Sequence, residues 1–184
     1  MMLIEAAKSS LLIVDVQERL LPAMADGAGV VSRSSVLLKA AKALDVPVAV
    51  SEQYPKGLGH TVDSLQADIG NAPVFEKLTF SCWRDIAMRA AFIKLHDMGR
   101  PQVIVAGIET HVCVAQTALD LAQAGFGVFV VADAVSSRSE SSKALALARM
   151  RQSGIDVINT EMAVFELLGR AGTAEFKQLS ALIK

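Results

Sequence analysis

The sequence predicts an α/β fold built around a parallel sheet. Five or six short apolar runs, mostly β-branched, alternate along the 184 residues with longer segments that carry apolar residues three and four apart. Strands covered on both faces read as continuous hydrophobic runs, and a helix between successive strands supplies the crossover that parallel pairing needs. A third observation is glycine just past three of the helical segments, at Gly99, Gly125 and Gly154. A helix commonly ends on a left-handed residue, which glycine adopts without a side-chain clash.

In chain order, the first strand falls at 11–16, where Leu11-Leu12-Ile13-Val14 runs into Asp15 and Val16. A helix at 36–44 leads to a second strand at 46–51. A long non-helical stretch, Ser51 to Thr61, leaves that strand at its carboxyl end; loops of this length in compact domains are often functional, which makes it a candidate substrate lid. A third strand at 73–76 delivers Lys77, and Ile86, Ala90 and Ile93 mark one face of a helix over 84–98. Strand 102–107 precedes helix 113–124, with Val114, Ala118 and Leu121 on its apolar face. Strand 127–132, helix 139–152 with Ser139 as its N-cap, and strand 155–159 complete the alternation. Gly169 and Gly172 separate two final helices. With no repeat, linker or low-complexity segment, one domain over residues 1–184 is expected.

Composition narrows the function classes. Hydrophobic residues make up 52% and charged residues 20%, more apolar surface than a small soluble core requires, so a homo-oligomer, at least a dimer, is expected. Net charge is −1 and the 18 Lys and Arg residues form no basic run, so the electrostatic footprint of a nucleic-acid partner is missing. The first residues lack a cationic segment followed by an apolar one, and no apolar run approaches the roughly 18 residues of a membrane span. No membrane partner and a cytoplasmic location are the expectations. Cys82 and Cys113 make neither a disulfide framework nor a paired-thiolate metal motif, and His60 and His96 lack ligand-spaced companions, so no metal is expected. Gly57-Leu58-Gly59 and Gly125-Phe126-Gly127 lack the third glycine of a dinucleotide loop, which disfavours nucleotide cofactors.

Three chemically capable side chains sit at strand ends: Asp15, Lys77 and Cys113. Sheets of this class bind ligands outside the carboxyl ends of their strands, near the point where strand order reverses. A thiol at Cys113 stands at a helix N-terminus, where unpaired N–H groups and the helix dipole favour its thiolate. Singly, Cys113 reads as a buried small hydrophobe, Asp15 as a turn cap and Lys77 as a surface charge. Their coincidence on one side of the sheet is what points to a catalytic site. Cys82, close to Phe80 and Trp83, reads as packing, and His111 as a cap whose side chain leaves the helix in a different direction from Cys113.

Residues 11–17, Lys77 and residues 106–114 resemble the three signature segments of the isochorismatase-like cysteine hydrolases; residues 133–138 and 148–154 resemble the branch called isochorismatase domain-containing proteins. The resemblance implies a three-layer α/β/α fold with a six-stranded, mostly parallel sheet. It also implies a catalytic triad of Asp15, Lys77 and Cys113, hydrolysis of C–N bonds in amides and N-carbamoyl compounds, and no cofactor. A cis peptide between Ile108 and Glu109, with an oxyanion hole made by the N–H groups of Glu109 and Cys113, belongs to the same expectation. Nicotinamidases of this superfamily carry an Asp and His metal set, whereas the lid here offers Gln53, Tyr54 and a single His60. True isochorismatases cleave a vinyl ether without a cysteine, so Cys113 favours a small amide-like or ester-like carbonyl substrate. Gln53, Tyr54, Phe80, Trp83, Glu109 and His111 are the expected substrate contacts, with Glu109 either selecting a cationic substrate or tied in a salt bridge. Two other readings stand beside this one: cysteine-independent ether hydrolysis with Asp15 as acid–base group, and a binding or scaffold protein without turnover.

Overall fold

A computed structural model describes residues 2–183. Its strands are β1 (Ser9–Val14), β2 (Val48–Gln53), β3 (Val74–Lys77), β4 (Gln102–Ile108), β5 (Gly127–Ser136) and β6 (Asp156–Ile158). They form one sheet in the order β3-β2-β1-β4-β5-β6, and every neighbouring pair is parallel. The helices are α1 (Gly27–Ala43), α2 (Pro55–Leu58), α3 (Asp63–Ile69), α4 (Ile86–Asp97), α5 (Ala115–Gln123), α6 (Glu140–Gln152), α7 (Thr160–Leu168) and α8 (Ala174–Ser180).

Alternation along the central strands creates the three layers, because successive side chains of a strand point to opposite faces. Leu11, Ile13, Ile104, Ala106 and Phe129 pack with Leu37 and Leu38 of α1, Leu65 of α3 and Leu167 of α7. Leu12, Val14, Val103, Val105 and Val130 pack on the other face with Phe92 of α4, Leu121 of α5 and Met150 of α6. Every residue of β1 and β4 is buried, which is why these strands read as unbroken apolar runs.

Several boundaries differ from the sequence expectation, each for a local reason. Helix α1 starts at Gly27, well before 36, because the Asp26 carboxylate caps it by accepting from the Gly29 N–H at 2.8 Å. Two glycines in the first turn hide that start, since glycine is a poor helix former. Strand β1 stops at Val14 instead of reaching 16, because Asp15 turns the backbone to a φ of 50°. Strand β5 extends to Ser136, beyond a register shift where β4 pairs it between Val105 and Gly107. The 51–61 stretch is not wholly irregular: β2 continues to Gln53, and a helical turn, α2, follows. Helix α3 was absent from the sequence reading; its seven residues are too few to show a clear period. The three helix-ending glycines do take positive φ, at 83°, 94° and 81° for Gly99, Gly125 and Gly154. Among the described residues no helix is long and apolar enough to cross a membrane.

Candidate active site

Strand order reverses between β1 and β4: β2 and β3 follow on one side, β5 and β6 on the other. A crevice at the carboxyl ends of such a central pair is the usual ligand position in open parallel sheets. The two strands approach closely here. Gly107 lies at φ 115°, and a Cβ on it would meet the Val14 carbonyl oxygen at 2.1 Å, so only glycine fits.

Asp15 stands at this crossing and is fully buried. Its left-handed backbone is held by its own N–H, which donates to the Ser51 carbonyl at 3.0 Å. Lys77, the last residue of β3, reaches across β2, and its Nζ donates to Asp15 Oδ2 at 2.7 Å. The same ammonium meets Gln53 Oε1 at 2.8 Å and the carbonyls of Thr79 and Phe80 at 3.3 Å each. Burial, the largest single influence, lowers the lysine's proton affinity, but the facing Asp15 carboxylate together with Cys82 and Cys113 outweighs it, and the pKa is raised. The second carboxylate oxygen, Oδ1, accepts from the Ser51 hydroxyl at 2.7 Å.

Cys113 lies in a π-helical turn, Thr110–Val114, that joins β4 to α5, where the Val114 N–H bonds back to the Glu109 carbonyl at 3.2 Å. The peptide bond between Ile108 and Glu109 is cis. The thiol is 5% exposed, and its pKa is raised, chiefly by burial and then by the Asp15 carboxylate; Lys77 pulls it the other way. This reverses the sequence expectation that the helix N-terminus favours a thiolate. One anion and one cation already occupy the site, and a second buried anion is disfavoured more than a helix end can repay.

The expected substrate contacts divide. Gln53 is held by Lys77 through its oxygen and by the Leu78 carbonyl through its nitrogen, so it belongs to the ion-pair scaffold. Tyr54, 51% exposed, lines a cleft of about 500 Å³ together with Pro55, Lys56, Lys77, Leu78 and Ile86. Asp15 and Cys113 are not part of that lining, so the cleft meets the buried triad only through Lys77. Phe80 is exposed. Glu109 is buried, and its carboxylate accepts from Arg138 Nε at 3.0 Å and from the Arg138 N–H at 3.2 Å, the salt-bridged alternative. His111 pairs through Nδ1 with Ser137 Oγ at 2.9 Å. The half-buried indole of Trp83 packs against Phe92 and Phe126, with ring centroids 6.4 and 5.6 Å away, and does not line the cleft.

Sequence reasoning missed Ser51 and the supports of the 51–61 segment. Gln17 accepts from the Gln53 N–H at 2.7 Å and donates to the carbonyls of Gln53 and Gly59 at 3.0 and 2.6 Å. Buried Glu52 accepts from the Thr61 N–H and hydroxyl at 2.6 and 2.8 Å and pairs with His60 at 3.0 Å. No sequence signal separates such strand-end polar residues from ordinary turn residues. Cys82 is buried in the α4–α6 layer, as expected of a packing residue, yet its Sγ lies 3.6 Å from Ser51 Oγ; burial pushes its thiol up to about 11.

Comparison with known proteins agrees with this architecture. The isochorismatase domain matches residues 9–162. Isochorismatase domain-containing protein 2 of Danio rerio is 42% identical over 176 residues, which span 95% of this chain and 86% of that relative. The solved structure of MAR1 ribonuclease from Caenorhabditis elegans superposes with a TM-score of 0.91 at 37% identity, covering 99% of this chain and 92% of that one. The YcaC gene product from Escherichia coli, described as an octameric hydrolase of unknown specificity, superposes at 0.89 with 27% identity, covering 98% and 90%. Shared sequence over nearly the whole length, on a shared three-layer sheet, makes this chain a member of the isochorismatase family, with its hydrolase fold.

Proposed function

We propose that this protein is a cysteine-dependent hydrolase of a small amide-like or ester-like carbonyl compound, in which Cys113 is the nucleophile, Asp15 the base and Lys77 the residue that holds Asp15 in place. The observation that carries this reading is the fully buried Asp15–Lys77 ion pair beside a thiol that is itself kept protonated. A protonated thiol needs a base at the moment of attack. As sulfur bonds to the carbonyl carbon, its proton passes to Asp15 and the negative charge moves from that carboxylate to the oxyanion, so the site's net charge does not change. Backbone N–H groups of Glu109 and Cys113 receive that oxyanion. Asp15 then returns the proton to the departing amine or alcohol, leaving a thioester on Cys113. A water molecule, deprotonated by Asp15, cleaves the thioester, releases the acid and restores the thiol.

Tyr54, Phe80 and His111 are the side chains assigned to substrate contact. The name ribonuclease carried by the Caenorhabditis elegans relative is not extended to this chain, whose 18 basic residues form no run along its sequence. Two free cysteines fit a reducing compartment such as the cytoplasm. A panel of small amides, N-carbamoyl compounds and activated esters, followed by intact mass, tests the reading. Transient acylation of Cys113, lost in Cys113→Ala, is the expected result. Turnover of an ether substrate that survives Cys113→Ala would overturn it.

A further inference from the structure

We propose that Ser51 is a positioning residue for Asp15, fixing the orientation of its carboxylate in a site that also holds two thiols. The inference rests on the assignment of Asp15 as base for Cys113. Ser51 is fully buried near the end of β2, one register step from Asp15, and its hydroxyl donates to Asp15 Oδ1 at 2.7 Å. The direction of that hydrogen bond follows from its surroundings. A carboxylate only accepts, so the hydroxyl proton points to Asp15, while the hydroxyl's lone pair receives the Cys82 thiol at 3.6 Å. Lys77 occupies the other carboxylate oxygen. The two bonds grip both oxygens, and each oxygen keeps a lone pair free for a proton arriving from Cys113.

The groups facing Asp15 are few: Lys77 from β3, Ser51 from β2, Cys82 from the 3-10 turn Cys82–Arg84 and Cys113 from the π-turn. Glu52, the next residue of β2, is turned to Thr61 and His60 instead. Lys77 is therefore the only cation among them, and the Ser51 hydroxyl is the second donor that holds the carboxylate. Without the hydroxyl, Asp15 Oδ1 loses its hydrogen bond and the carboxylate no longer presents a fixed acceptor to Cys113.

The test is the rate of Cys113 alkylation by iodoacetamide between pH 4 and 9, followed by peptide mass, in wild type, Ser51→Ala, Ser51→Cys, Ser51→Thr and Asp15→Asn. In wild type the rate is level at neutral pH. Ser51→Ala lowers that level rate about tenfold, the worth of one lost hydrogen bond to a charged group. Ser51→Cys, a weaker donor, lowers it less and serves if the alanine variant does not fold. Ser51→Thr, which keeps the hydroxyl, restores it toward wild type. An unchanged level rate in Ser51→Ala or Ser51→Cys, whatever happens to thermal stability, overturns the proposal for Ser51 while leaving Asp15 as base. Loss of the level region from wild type itself, or its survival in Asp15→Asn, overturns the assignment of Asp15 on which the proposal stands.

Discussion

Lys77 is the residue whose removal separates a structural from an incidental ion pair. Its ammonium and the Asp15 carboxylate are both fully buried, so each depends on the other to avoid an uncompensated charge. Lys77→Met keeps the length and leaves Asp15 facing apolar surroundings; breaking such a pair costs about 3–5 kcal/mol, measurable by urea denaturation. Asp15→Asn/Lys77→Met should recover a large part of that loss, because no charge is then left alone. Equal stability of wild type and Lys77→Met would show that the pair is not shielded from water. At this scale the grouping of Asp15, Lys77 and Cys113 was legible in the sequence: each lies at or shortly past the end of an apolar run, and parallel strands bring such ends to one side of the sheet. Ser51 was not legible, because a serine near the end of a strand carries no mark of whether its hydroxyl meets water or a buried carboxylate. Trp83 lies close to Phe80 in sequence, but its half-buried indole packs against Phe92 and Phe126, which sequence proximity does not show.

Elements were predicted best where the period was long and apolar. The fully buried strands β1 and β4 and the capped helix α6, begun by Ser139, are found close to their expected positions. Where polar chemistry or glycine decides a boundary, hydrophobic period is silent, as at the start of α1. That start makes its own test. A Cβ at Gly29 would come within 2.1 Å of the Asp26 carboxylate that caps the helix, and Asp26 cannot keep both its place and its bond to the Gly29 N–H. Gly29→Ala should therefore give no net gain, because the cap it displaces is worth about 1 kcal/mol, about what alanine gains over glycine at other helix positions. A gain in stability would show that Asp26 moves aside freely. The 51–61 segment illustrates the opposite limit: its length and position single it out, but its tether to Gln17 comes from a residue 36 to 42 positions away, and the Glu52–Thr61 bond that ties its ends together leaves no periodic pattern.

At the scale of the whole molecule, the sheet order places the reversal between the two strands that end at Asp15 and at the turn carrying Cys113, so topology and chemistry coincide. Exposed Leu78, Phe80, Ile86, Leu145 and Met98 account for part of the apolar excess seen in composition. Their exposure is what association of copies of this chain, expected from its composition, would cover. Light scattering at micromolar concentration should give a mass of at least twice 19.5 kDa, and a monomer would contradict it. The central claim is that Asp15, and not the intrinsic ionisation of a buried thiol, governs the reactivity of Cys113. The most direct measurement is the pH profile of Cys113 alkylation in wild type and Asp15→Asn. The account predicts a rate that stays level through neutral pH in wild type and loses that level region in Asp15→Asn. A wild-type rate that climbs about tenfold per pH unit up to the ordinary thiol range near 8.5, unchanged by Asp15→Asn, would contradict it.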